Sequence, residues 1–260
     1  MSQSPLRPIP VKAQPRERTD LAAAYRLIAH LGMADSIFTH ISAKAPASEH
    51  GKEHFLLNSY GTRFTEVRAS ELVTIDLDGN IVDDPLGNGV NKAGFVIHSA
   101  VHAARPEIAC VLHTHTTAGV AVACLEEGLL PVNQWSMQFT NRIAYHEYEG
   151  IALSLSERER LVADLGTHNA MILRNHGLLT CGRTVAEAFK LMHNLERACK
   201  AQIAIQSTGG KIHLPPPEIA ELTASQYESW DEMHRAKGVA DPEWEAFLRL
   251  AAEVAPDYAS

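Results

Sequence analysis

His113 and His115 are spaced i, i+2, which on a β-strand turns both side chains to one face, where two imidazoles can reach one ion. With 14 histidines in 260 residues, about 0.75 such pairs arise by chance, so the spacing alone leaves a ligand pair and two packed histidines equally open. Their position adds to the case. The apolar run Ile108–Leu112 reads as a buried strand leading directly into His113, and ligands collect at strand ends in sheet proteins. A second buried strand, Ala170–Leu173, runs into Arg174-Asn175-His176-Gly177. Two strand ends can converge on one ion. Three imidazoles leave coordination positions open, the pattern of a catalytic rather than a structural site. His98 and His102 are i, i+4 on a helix but lack the carboxylate of an H-E-x-x-H arrangement, so helix-packing or surface roles are expected. His193 falls off the apolar stripe of its helix and is expected to be solvated or hydrogen-bonded.

The elements that must hold these residues follow from pattern and punctuation. Residues 1–17 carry Pro5, Pro8, Pro10 and Pro15 with few apolar side chains and read as a flexible arm. Asp20 is the expected N-cap of a helix on Leu21, Tyr25, Ile28 and Leu31, ended by Gly32. Strands are expected at Ile37–Ser42 and Phe55–Leu57, and a short helix at Ala69–Val73. A hairpin should turn at Asp78-Gly79. The segment Asp83–Asn91 is a loop, and Gly94–Ala104 a helix that stops before Pro106. Helices are expected at Thr117–Glu126 and Ser156–Leu165, the latter capped by Ser156. Arg142–Tyr148 is a strand, and Leu178–Thr180 continues the strand Ala170–Leu173. The capping box Thr184-Val-Ala-Glu187 opens a helix with the stripe Val185, Phe189, Met192, Leu195, Cys199 and Ile203, ended by Gly209-Gly210. Residues 211–260 form an acidic helical extension that packs on the core or on a neighbouring subunit. Strands and helices mix without strict alternation, which predicts an α/β sandwich with a mostly antiparallel sheet.

Bulk composition excludes several classes. At 45% hydrophobic and 21% charged, the chain can bury roughly three quarters of its unfolded surface in one large domain without a disulfide or structural metal. No run approaches ~20 apolar residues, so no membrane span is expected. The N-terminus has no apolar signal core, and a cytoplasmic location is expected. A net charge of −8 argues against a nucleic-acid surface. Cys110, Cys124, Cys181 and Cys199, without a C-x-x-C, read as buried reduced thiols.

Several ordered segments resemble the class II aldolase/adducin superfamily: Asn91-Lys-Ala-Gly-Phe-Val-Ile-His98, Ala104-Arg-Pro106, Val111-Leu-His-Thr-His115 and Leu173-Arg-Asn-His-Gly177. His54-Phe-Leu-Leu-Asn-Ser-Tyr-Gly61 and Leu77-Asp-Gly79 add to them. The resemblance covers residues 18–210. It implies a single-domain three-layer α/β/α sandwich, commonly a homotetramer with active sites near subunit interfaces. It also implies one divalent metal per subunit on His113, His115 and His176, zinc foremost, with manganese, cobalt or iron as alternatives. The departures are specific. Gly94 stands where the sugar-phosphate aldolases place a glutamate acid/base, four residues before His98. Lys92 and Ala93 replace their phosphate-binding serines. Ser59-Tyr60-Gly61, after Asn58, replaces their Thr-Pro-Ser-Gly loop, and Thr39-His40-Ile41-Ser42 their Gly-Asn-Ile-Ser element.

A metal with open positions can stabilise the charge left when a carbon–carbon bond breaks beside a bound carbonyl. A retro-aldol step also needs a base for a hydroxyl proton, which Gly94 cannot supply. A decarboxylation starts from an ionised carboxylate and needs none. Lys92, or Arg63 beside the Tyr60-Gly61 loop, could hold that carboxylate. The substrate-binding set is therefore Asn58, Tyr60, Gly61, Arg63 and Lys92. Lys92, Tyr145 and His146 are the catalytic candidates, the last two in a cluster with Tyr148 that could donate a proton across an interface. Against this stand surface charges and ordinary strand residues. The expected function is a metal-dependent carbon–carbon lyase, a decarboxylase of a hydroxy or keto acid or an aldolase. Its substrate is a small carboxylated or carbonyl compound. The alternatives are a non-haem iron oxygenase and a non-catalytic adducin-like binding module. The latter draws on Asn91–His98 and Gly128-Leu-Leu-Pro131. The apolar segment Leu129–Phe139 is expected to bury itself in a homo-oligomer.

Overall fold

The structure, a computed structural model, describes residues 14–46, 53–150, 155–237 and 241–260, with the side chains of 92–94, 96, 155 and 156 left undescribed. Most of the expected N-terminal arm, residues 1–13, lies outside that set. The first helix, α1 (Arg16–His30), opens at Pro15 rather than at Asp20. The fixed φ of proline suits a helix start, and Asp20 instead pairs with Arg16 one turn earlier.

Eight strands form one sheet: β1 (His40–Lys44), β2 (Phe55–Leu57), β3 (Val73–Ile75), β4 (Ile81–Asp83), β5 (Cys110–Thr114), β6 (Ile143–His146), β7 (Ala170–Leu173) and β8 (Gly177–Gly182). Their order is β4-β3-β2-β1-β5-β8-β7-β6. Every pairing is antiparallel except β6 with β7. Alternation along β5 sorts the two layers. Cys110 and Leu112 face the larger core, built on α1 and α6 (Val185–Ser207). Val111 faces the smaller one, on α2 (Lys92–Ala104) and α5 (Leu155–Leu165). The result is the expected α/β/α sandwich with a mostly antiparallel sheet.

Three local expectations are corrected. Leu178–Thr180 does not extend β7. The chain reverses at Arg174–His176 and returns antiparallel as β8, with Leu173 opposite Gly177. The strand expected from Ile37 begins at His40, because Ser36 and Thr39 adopt φ of +50° and +66°. The Leu129–Phe139 segment, whose burial in an oligomer is a separate expectation, is partly covered within the chain: Phe139 is buried, Leu129 packs on the main core, and Trp135 lies under Arg197. Cys124 is exposed, whereas the other three thiols are buried.

The remaining helices are α3 (Thr117–Ala123), α4 (Gln134–Met137), α7 (Pro217–Ala236) and α8 (Pro242–Val254). Through Trp244, α8 enters the main core beside Phe189. The chain end is tied in as well: Ala69 N–H donates to Tyr258 O and Ser70 N–H to Ser260 O. Among the described residues, no helix is long and apolar enough to cross a membrane.

Candidate metal centre

His113 is the fourth residue of β5 and His115 follows its end, so strand alternation turns both toward the α2 layer. His176 arrives from the β7–β8 turn, where Asn175 takes φ +55°. Gly177 makes that arrival possible. A Cβ there would sit 2.4 Å from Thr114 O and 3.2 Å from His115 Cδ2. Only glycine lets β8 start this close to β5. The three ligand nitrogens lie within 4.8 Å of one another. Nε2 of His115 is 2.8 Å from that of His113 and 2.9 Å from that of His176.

The surrounding hydrogen bonds decide which nitrogens carry protons. Nδ1–H of His113 donates to Leu178 O (2.8 Å), and Nδ1–H of His115 to the Asp35 carboxylate (2.9 Å). Both Nε2 atoms are then bare lone pairs facing each other, an arrangement that a cation relieves. Tetrahedral ligation at ~2.05 Å places such nitrogens ~3.3 Å apart, so the triad needs to open by only ~0.4 Å. Burial, reinforced by His176 and His115, pushes His113 well below the ordinary imidazole range. Burial, with His115 beside it, takes His176 to about 4. Both are therefore neutral, the ligating form, at pH 7. The donor set thus fits a divalent ion.

A polar seam runs between β1 and α2. Nδ1–H of His102 points at Ile108 O (3.4 Å), so its Nε2 accepts from the Ser42 hydroxyl (2.8 Å). Ser42 Oγ in turn accepts from His98 Nδ1 (2.7 Å). His40 stacks on His98 with centroids 3.9 Å apart and stands opposite His113 in the β1–β5 register. The two histidines expected to take packing or surface roles are thus fully buried and linked through one serine. On the other face Thr116, next to His115, caps α3 and donates to the buried Glu196 of α6. The ligand strand is held from both layers.

The other candidates are dispersed. Lys92 opens α2, but its side chain lies outside the described set. Arg63 is exposed and paired with Glu66. Asn58 is buried, its Oδ1 2.9 Å from the Tyr25 hydroxyl, and Tyr60 and Gly61 form an exposed turn tied to Gly89. Tyr145 and His146, as strand neighbours, face opposite layers. Tyr145 enters the α6 layer, away from His113, and its hydroxyl accepts Leu129 N–H. His146 is buried against Asp164 (2.7 Å). The cluster that the sequence groups is therefore split, and Tyr148 is the member that reaches the triad, 6.2 Å from His176 between ring centroids. Asp35 carries no motif signal, and Gly177 closes the motif Leu173-Arg-Asn-His-Gly177 without a sign there of the close approach it permits. For the seam, the alternation His40-x-Ser42 against the helical pair His98 and His102 is the available hint.

Comparison with known proteins agrees with this geometry. The family described as Class II Aldolase and Adducin N-terminal domain matches residues 19–203. The chain belongs to that family. An aldolase class 2 protein of Pseudomonas aeruginosa, whose aldolase name is itself provisional, is 50% identical over 210 residues, 80% of this chain and 79% of its own. Rat alpha-adducin is 37% identical over 242 residues, which span 90% of this chain but 32% of the adducin. The crystal structure of an aldolase II superfamily protein from Pseudomonas syringae superposes with TM-score 0.86 at 48% identity, covering 96% of this chain and 97% of that one. L-fuculose 1-phosphate aldolase from Glaciozyma antarctica superposes at 0.78 with 25% identity over 94% and 92%. At the level of the superfamily, class II aldolases are aldolase-type lyases that use a divalent metal, and the three histidines offer it a place. The family also holds the adducins.

Proposed function

We propose that this class II aldolase relative is a carbon–carbon lyase acting on a small carboxylated substrate, decarboxylation of a hydroxy or keto acid being the reaction its residues suit best. The observation that carries the reading is three imidazole nitrogens converging at the C-terminal end of β5, with glycine at position 94 of α2. A divalent ion on Nε2 of His113, His115 and His176 would supply Lewis-acid stabilisation of negative charge growing on a substrate oxygen. The chain's own residues do the rest. An ionised carboxylate leaves without a base. The carbon it leaves takes a proton, for which the Tyr148 hydroxyl is the candidate donor, its ring centroid 6.2 Å from that of His176. His102 lies by Ile108 and His98 by His40, so α2 runs against β5 and brings its first turn, with Lys92, toward the triad's edge. That turn carries the positive end of the helix dipole, which supports Lys92 as the carboxylate partner over the Glu66-paired Arg63.

On the family resemblance we assign zinc, a homotetramer and a cytoplasmic setting, with residues 18–210 as the metal-binding unit and 211–260 as its helical extension. The test is elemental analysis of tag-free protein, then an assay of metal-loaded enzyme on both substrate classes. Near one zinc, manganese or cobalt per chain and turnover of an acid support the reading. Efficient cleavage of fuculose or rhamnulose phosphate without acid turnover refutes it, and iron points to an oxygenase. The match to alpha-adducin favours one second reading, a non-catalytic binding module, for which the expected metal content is nil.

A further inference from the structure

Asp35 is 80 residues from His115 in sequence, yet its Oδ2 accepts His115 Nδ1–H at 2.9 Å. We propose that Asp35 is a positioning residue of the centre: its carboxylate holds His115 in the Nδ1–H tautomer and turns Nε2 toward the ion. This rests on the reading of the triad as a metal centre.

Three observations lead there. The acceptor that orients His113 is a backbone carbonyl, Leu178 O, which no substitution removes. The acceptor that orients His115 is a carboxylate. An anion one hydrogen bond behind a ligand makes the imidazole a stronger donor and offsets part of the ion's charge. The loop between α1 and β1 is shaped for this task. Ser36 and Thr39 both take left-handed backbone angles, φ +50° and +66°, which side-chain-bearing residues rarely adopt. Between them Phe38 N–H donates to Asp35 O at 2.7 Å, and at this tight turn the partly exposed Asp35 side chain reaches His115 while Phe38 stays at the surface, 51% exposed. Strain of this kind persists where the surroundings over-determine it. The same turn therefore fixes a ligand's orientation.

The test measures cobalt(II) affinity by chelator competition, together with the cobalt visible spectrum, in the full-length chain. Wild type binds and His115→Ala does not. Asp35→Ala loses 10–100-fold in affinity and shifts the spectrum. Asp35→Asn, which can still accept the hydrogen bond but carries no charge, falls between the two. Asp164→Ala removes a matching contact from His146, whose Nδ1 is 2.7 Å from Asp164 Oδ2, and leaves affinity and spectrum unchanged. Asp35→Ala with wild-type affinity and spectrum, while His115→Ala has lost the ion, overturns the role of Asp35 and leaves the metal centre standing. Equal losses in Asp35→Ala and Asp164→Ala overturn it too, because the effect would then be general destabilisation. If wild type and His115→Ala bind cobalt alike, or neither binds, the metal centre itself falls and Asp35 with it.

Discussion

Gly177→Ala is the sharpest probe of how the β7–β8 turn builds the centre. The added methyl would lie 2.4 Å from Thr114 O, 3.2 Å from His115 Cδ2 and 3.4 Å from His113 Cε1. The first contact is with backbone, so no rotamer change relieves it. To regain ordinary contact distance the start of β8 must retreat from β5 by roughly 0.6–1 Å, and that movement pulls two things with it. His176, the preceding residue, moves off the other two ligands. The bond from His113 Nδ1 to Leu178 O, now 2.8 Å, stretches toward breaking. Overpacking of this kind costs about 1–3 kcal/mol, and at roughly 2–4 °C per kcal/mol in a domain of this size the melting temperature falls by about 2–12 °C. Metal sites tolerate misplacements of only ~0.5 Å, so affinity should drop at least ~10-fold. Thermal melting followed by circular dichroism and chelator competition read the two effects separately. Gly210→Ala, at an exposed glycine after α6, is the control and should stay within about 0.5 kcal/mol of wild type. A Gly177→Ala protein that melts and binds metal like wild type would refute the close-approach reasoning.

Ser42→Ala removes the hydroxyl between His98 and His102 and strands two buried ring nitrogens; at about 1–3 kcal/mol for each unsatisfied group, urea denaturation should report a loss of about 2–6 kcal/mol, and a loss under about 1 kcal/mol would contradict the seam. Burial holds His102 down at about 3 and His98 well below the ordinary 6.5. Folding therefore favours their neutral forms, and that stability is complete above pH 6.5 and is lost as pH falls toward 3, by up to about 1.4 kcal/mol per pH unit per histidine. Unfolding free energies that stay flat from pH 7.5 to 5 would count against it. Tyr148→Phe keeps the ring near His176 and removes the hydroxyl, so turnover should fall about 10²-fold or more with metal content unchanged; undiminished turnover would show that another group delivers the proton.

Much of the local structure was legible because its causes are local. The stripe of α6 is buried as its periodicity requires, with Ile203 at the partly buried end, and Thr184 accepts Glu187 N–H at its cap. The other half of the box slips by one residue, since Glu187 takes Arg183 N–H. Asp78-Gly79 turns the β3–β4 hairpin with Gly79 at φ +82°. Boundaries drifted by one to several residues where caps compete, as at Pro15 and Asp20.

The sequence by itself determined that His113 and His115 share a face, because i, i+2 on a strand is a statement about one backbone. It also carried enough ordered motif to identify the family. Only the tertiary structure decided the rest. The return of β8 beside β5 brings His176 to the pair, and a glycine's missing Cβ permits that approach. Asp35 reaches His115 across 80 residues, and Ser42 joins His98 to His102 across 56 and 60. Strand alternation, applied once β6 was set in its register, parted Tyr145 from His146 and left Tyr148 near the histidines. Register and hydrogen-bond partners depend on contacts between segments far apart in the chain, and such contacts leave no period in a single sequence.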